Sequence, residues 1–231
     1  MTPVEQIEAI TKLMYAQADA KKSVGMQAYM KNKFPFLGIQ KPMRSTLQKA
    51  WIAAFKNQDI EITHAVLIRL WQLPEREFQY VGMDLMLTCR KHWSDASEQI
   101  FIEMATHKPW WDTVDLIAAK MLGILWLKHH NTHHAKIITH ALSEDIWLNR
   151  IAILHQLTYK AQTNTQLLEK VIACTIHKNE FFIQKAIGWA LRQYSYTNPK
   201  YVKQYVQDTP QLSNLAKREA LKAINRKIKS E

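Results

Sequence analysis

The chain has 231 residues, 47% of them apolar and 22% charged, too rich in large apolar side chains for a disordered chain and too short for several large domains. Lys and Arg number 31 against 20 Asp and Glu, a net charge of +11 with a pI near 9.6, which points to an anionic partner. No stretch approaches the roughly 18 uninterrupted apolar residues of a membrane span.

The N-terminal MTPVEQIEAI supplies Thr2 as an N-cap, Pro3 at the first helical position and Glu5 as the reciprocal acid of a capping box. A helix is predicted there, not a signal peptide. From Lys21 to Lys56 every charged residue is basic. Such a run is either a solvated face or a surface for nucleic acid, and the basic balance of the whole chain favours the second. Apolar residues recur at three- and four-residue spacing nearly throughout, and the chain has only five glycines, so an all-α protein is predicted. Breaks are expected at FPFLGIQKP (34 to 42), Pro74, before Pro109, HHNTHH (129 to 134), 163 to 165, YTNP (196 to 199) and near Pro210.

Cys89 and Cys174 lie in apolar helical segments without CxxC spacing, and are read as buried free thiols of a reducing cytoplasm. In KPWWDTVDLIAAKML (108 to 122) a stripe of Trp110, Val114, Ile117 and Met121 is expected to face the core. Trp111 and Asp115, one helical turn apart, lie at the edge of that stripe. HHNTHH invites a zinc reading through His129, His130, His133 and His134. With no carboxylate at motif spacing, a histidine-rich surface turn is the simpler account, and no metal or cofactor is implied.

Five segments align by their apolar pattern and place Val81, Asp115, Arg150, Lys185 and Glu219 in corresponding positions, 34, 35, 35 and 34 residues apart. The period predicts two-helix repeats stacked in one domain over 1 to 231. Asp115 and Arg150, one repeat apart, fit an inter-repeat ion pair as well as a site. Trp111 and Trp189 fit inter-repeat aromatics as well as a binding surface. The last helix gathers Lys217, Arg218, Lys222, Arg226, Lys227 and Lys229, suited either to cap the array or to meet phosphates.

KPWWDTVD, IWLNRIAILHQLTYK, FFIQKAIGWALRQY and FPFLGIQKPMR, together with the repeat length, resemble the bacterial DNA alkylation repair glycosylases of the AlkD-like family. The resemblance covers nearly the whole chain. It implies a right-handed superhelical solenoid of HEAT-like repeats with a concave DNA-binding face. Its implied activity is removal of N3- and N7-alkylated purines from duplex DNA, without flipping the base into a pocket.

The site residues it implies are Asp115, Trp111 and Trp189 for the chemistry and Arg150 for the phosphate backbone and for orienting Asp115. Tyr29, Lys33, Gln40, Lys41, Arg44 and Arg192 complete the expected DNA-binding set. Where members of that family carry a basic residue, this chain has Thr158, with Lys160 close by. A cationic purine departs as a neutral base, so the harder task is stabilising the positive charge that develops at the sugar. A carboxylate held nearby suits that task. The expected protein is a cytoplasmic monomer acting on alkylated duplex DNA. The alternative is a non-catalytic repeat scaffold for damaged or branched nucleic acid, in which Asp115 and Arg150 are architecture.

Overall fold

A computed structural model describes residues 2 to 128 and 132 to 228, with side chains up to Arg226. His129, His130 and Asn131 of the histidine-rich segment, the Lys227 side chain and Lys229 lie outside the described residues. Every regular element among the described residues is helical. The chain forms two compact units, Met1–Ile100 and Phe101–Glu231.

The first unit contains α1 (Pro3–Tyr15), α2 (Ala20–Tyr29), α3 (Lys41–Ala53), α4 (Ile60–Gln72), α5 (Arg76–Thr88) and the start of α6 (Asp95–Thr106). The capping box forms as read from sequence: Glu5 N donates to Thr2 Oγ1, and Thr2 N donates to Glu5 Oε2. Ile10, Met14, Phe55, Leu70, Phe78 and Val81 are fully buried in its core. Between α2 and α3, the stretch that breaks the helical pattern is anchored from α5. The Glu77 carboxylate is fully buried and accepts from the amides of Leu37, Gly38 and Ile39. Arg76 stacks its guanidinium 3.9 Å from the Phe34 ring centroid. Gly38 has φ +87, and a Cβ there would lie 2.1 Å from the Asp19 carbonyl oxygen, so the turn requires glycine.

The second unit contains most of α6, then α7 (Trp111–Leu116), a π-helical segment (Ile117–Leu122) and α8 (Gly123–Lys128). It continues through α9 (His134–Leu142), α10 (Ile146–Leu154), α11 (Thr165–Thr175), α12 (Phe181–Ser195), α13 (Pro199–Asp208) and α14 (Asn214–Ile228). Helices α9 and α10, and α13 and α14, pair as hairpins, α11 packs on α9, α10 packs on α12 and α12 on α14. A side-chain amide near the start of the later helix repeatedly ties the end of the earlier one. Asn149 donates to the carbonyls of His140, Ala141 and Ser143, and Gln184 to those of Ile176 and Lys178. In the first unit Gln79 does the same to Leu70, Trp71 and Leu73. Each amide satisfies carbonyls that a helix end leaves open.

Val114, Ile117 and Met121 are buried as expected, but Trp110 does not continue their stripe. It occupies the N-cap with extended backbone, and α7 begins one residue later. Cys89 is buried, whereas Cys174 is only half-buried, so the expectation of a buried thiol fails for the second cysteine.

Candidate active site

Asp115 sits in the last full turn before the helix changes from α to π geometry. The π segment is fixed from α10 and the loop after it. Thr158 Oγ1 donates to the Ala119 carbonyl and Tyr159 Oη to that of Gly123 at 2.6 Å. A Cβ on Gly123 would meet the His155 carbonyl oxygen at 2.3 Å, so glycine permits the close approach. His155 itself is buried among Trp126 and Tyr159, and burial pushes its pKa down to about 4.

From α10, Arg150 Nε donates to Asp115 Oδ1 at 2.6 Å and Nη2 to Oδ2 at 2.8 Å, while Nη1 donates to the Phe182 carbonyl of α12. The guanidinium side chain is 3% exposed and the carboxylate side chain 15%. Burial raises the Asp115 carboxyl above its ordinary range, and Arg150 pulls it back toward ionisation. Trp110, Trp147 and Phe182 pack ring on ring with centroids 5.0 to 5.7 Å apart, and the Phe182 centroid lies 5.8 Å from the Arg150 guanidinium. The low exposure of the pair lowers the local dielectric and strengthens it.

On α12, Trp189 lies between two guanidiniums, Arg150 at 5.9 Å and Arg192 at 5.6 Å from its ring centroid. Glu219 on α14 accepts from Lys185 Nζ at 2.7 Å and from Arg192 Nη1 at 2.8 Å. Trp111 is half-buried as the first residue of α7, one turn before Asp115.

Asp115, Arg150, Trp189 and Arg192 therefore form one connected set within the second unit, with Trp111 on the same helix as Asp115. Tyr29, Lys33, Gln40, Lys41 and Arg44 belong to the first unit. Tyr29 is 69% exposed and Lys33, Gln40 and Lys41 are exposed as well.

Two arginines of the expected DNA-binding set face carboxylates. Arg44 is buried, 4.8 Å from the centroid of Tyr80 and 3.5 Å from Asp84. Arg150, expected on the DNA backbone and as the group that orients Asp115, has its guanidinium bound to Asp115 and a main-chain carbonyl. Its geometry is that of a group that orients the carboxylate. Sequence reasoning put Lys185 and Glu219 in the repeat frame without giving them a role. Their 34-residue separation was the signal. Nothing in the sequence marked the Phe182 carbonyl.

Among the described residues no group of three His, Cys, Asp or Glu is placed to hold a metal ion, and no helix is long and apolar enough to cross a membrane.

A half-buried carboxylate locked by an arginine, in a basic helical protein, gains meaning from comparison. No curated protein matches the chain. A solved structure of a predicted DNA alkylation repair enzyme from Enterococcus faecalis is 38% identical, superposes with a TM-score of 0.82, and shares 89% of this chain and 96% of its own. The model of the DNA alkylation repair enzyme family matches residues 10 to 224. With the match running from α1 into α14 and so including every residue of the connected set, the chain belongs to the DNA alkylation repair enzyme family.

Proposed function

We propose that the protein is a monofunctional DNA glycosylase that hydrolyses the N-glycosidic bond of N3- and N7-alkylated purines in duplex DNA. The observation that carries this reading is the two-point clasp of Arg150 on Asp115, which leaves a partly exposed carboxylate in fixed orientation beside tryptophans. An alkylated purine already bears positive charge, so cleavage of its bond to C1′ sends the electron pair onto the base, which leaves neutral. Positive charge then develops on the sugar. Asp115 stabilises that charge and orients a water, whose oxygen bonds to C1′ as its proton is lost. The products are free base and an abasic site, with the strand intact.

Arg150 holds Asp115 in place and favours its charged form. Trp111 and Trp189 offer π faces to the sugar and the cationic base, each contact contributing roughly 0.5 to 2 kcal/mol according to how dry it is. Arg192, Tyr29, Lys33, Gln40 and Lys41 are proposed contacts to the DNA backbone, which position the strand without reading its sequence. We read the hairpins as HEAT-like repeats, the lesion as recognised without a base pocket, and the protein as a monomer acting in the cytoplasm.

A second reading is favoured by one observation. The Lys185–Glu219 pair repeats the Asp115–Arg150 pair in the same frame, as an architectural ladder would, and a scaffold for damaged or branched nucleic acid needs nothing more. The test that separates the two is release of free base from a duplex carrying one N7-methylguanine, by wild type and Asp115→Asn. Release by wild type alone supports the glycosylase. Binding of the duplex by both, with release by neither, establishes the scaffold.

A further inference from the structure

Glu219 is a buried carboxylate that the chemistry above leaves unused. It is 5% exposed on α14, and its two partners, Lys185 and Arg192, stand on α12 on either side of Trp189 in the chain. A second, independent feature brings it there. Gly188 immediately precedes Trp189, and a Cβ on it would lie 2.5 Å from Glu219 Cβ and 2.9 Å from the Ala216 carbonyl oxygen. The missing side chain of Gly188 is the space in which α14 delivers Glu219 to the turn that carries Trp189. The hydrogen bond from Lys185 holds the Glu219 carboxyl below its ordinary range, so it is charged at neutral pH.

The charge balance gives this placement a purpose. Arg150 and Arg192 both lie within 6 Å of the Trp189 centroid, and Lys185 is bound to the same carboxylate as Arg192. An excess of cations there would repel the positively charged nucleotide that the site is proposed to receive. Asp115 offsets Arg150, and Glu219 offsets one of the two charges of Lys185 and Arg192, so that its loss would raise the local excess from one positive charge to two. It also pins Arg192, whose long side chain otherwise samples many rotamers, against the indole.

We propose that Glu219 is a positioning residue of the active site, which fixes Arg192 against Trp189 and keeps the surroundings of that ring able to accept a cation. This inference rests on the glycosylase reading, and its experiment has two readouts. The first is the rate of base release from an N7-methylguanine duplex under single-turnover conditions. The second is affinity for two duplexes that differ at one position, one carrying a cationic pyrrolidine abasic analogue and the other its neutral tetrahydrofuran counterpart.

Wild type should release base and prefer the cationic analogue. Glu219→Gln should reduce that preference, and the release rate, by about tenfold each. Glu219→Asp, which keeps the charge on a shorter arm, should retain the preference and lose rate. Tyr201→Phe removes a different half-buried bond of this unit, to Glu169 between α11 and α13, and should leave both readouts unchanged. Glu219→Gln with a lower melting temperature but unaltered preference and rate overturns the inference, as does loss of preference in Glu219→Asp. Failure of Glu219→Gln to fold leaves Glu219→Asp to decide. Wild type that neither releases base nor prefers the cation overturns the glycosylase reading, and the inference falls with it. Release by wild type with Glu219→Gln unaffected removes this inference alone.

Discussion

Asp115 and Arg150 stand 35 residues apart and meet edge to edge, both nitrogens on one side of the guanidinium fork donating to both carboxylate oxygens. The fork geometry matters beyond the charge. Lys at position 150 offers a point charge that cannot hold both oxygens at once. Arg150→Lys is expected to lower the single-turnover rate of base release by roughly 10- to 100-fold with little change in half-saturating enzyme concentration. Arg150→Ala, which leaves the carboxylate buried without its partner, should cost about 3–5 kcal/mol of stability in urea denaturation. Wild-type rates in Arg150→Lys would refute an orienting role.

Asp115 must be ionised to stabilise a cationic sugar, and burial raises its pKa above the ordinary 3.8. Base release should therefore hold steady near neutrality and fall as pH drops through a value higher than that of a free aspartate. In Arg150→Lys, where the stabilising clasp is weakened, the acid limb should move to higher pH. Stability follows the opposite course for this group. The folded protein binds the Asp115 proton more tightly than the unfolded chain. Its contribution is therefore present below the unfolded pKa and lost as pH rises through the folded one. A rate profile with no acid limb above pH 4 would contradict the role assigned to the carboxylate.

His155 works in the other direction. Its folded pKa of about 4 lies below the unfolded value of 6.5, so the unfolded chain takes up the proton first. The stability held by neutral His155 is complete above pH 6.5 and lost as pH falls through the window to about 4. The full loss amounts to roughly 3 kcal/mol at 1.36 kcal/mol per unit. Denaturant midpoints measured across this window should slope downward toward acid, and His155→Gln should flatten the slope. An unchanged slope in the variant would assign the titration to another group.

The Glu77 carboxylate accepts three main-chain amides of the turn between α2 and α3. In Glu77→Gln one oxygen becomes a donor that faces donors. A loss of about 2–3 kcal/mol is expected, in the range of hydrogen bonds to charged groups. Amide exchange should accelerate at Leu37, Gly38 and Ile39 before other parts of the first unit. Protection at those amides equal to wild type would show the turn to be held by Arg76 and Phe34 instead.

Much of this arrangement was legible in the chain because it follows spacing. Thr2, Pro3 and Glu5 announce α1, and Pro74, Pro109 and Asn198-Pro199 mark helix ends. The 35-residue frame puts Asp115 and Arg150 one repeat apart, as an ion pair would be, and puts Lys185 and Glu219 in the same frame without marking them as a pair. What spacing does not carry is depth. Arg44 reads as a surface cation because arginine usually is one, and only packing shows it turned to Asp84. The depth at which Arg150 meets Asp115 is likewise set by packing. The role of Gly188 was equally hidden, since the close approach it permits belongs to a helix almost 30 residues further on. Helical periodicity also missed the π segment at Ile117–Leu122, because a change of winding alters no residue type.

That segment sets an angular relation between two halves of one continuous rod. The residues before it aim Trp111 and Asp115, and those after it press Gly123 against the His155 carbonyl and Trp126 against His140. If the same six residues, Ile117–Leu122, wound as an ordinary α-helix, one half of the rod would turn against the other by about 100°. With Gly123 still seated, Asp115 would point away from Arg150. The wide turn thus acts as a phase shifter, allowing the catalytic face and the packing face of the same helix to be set separately.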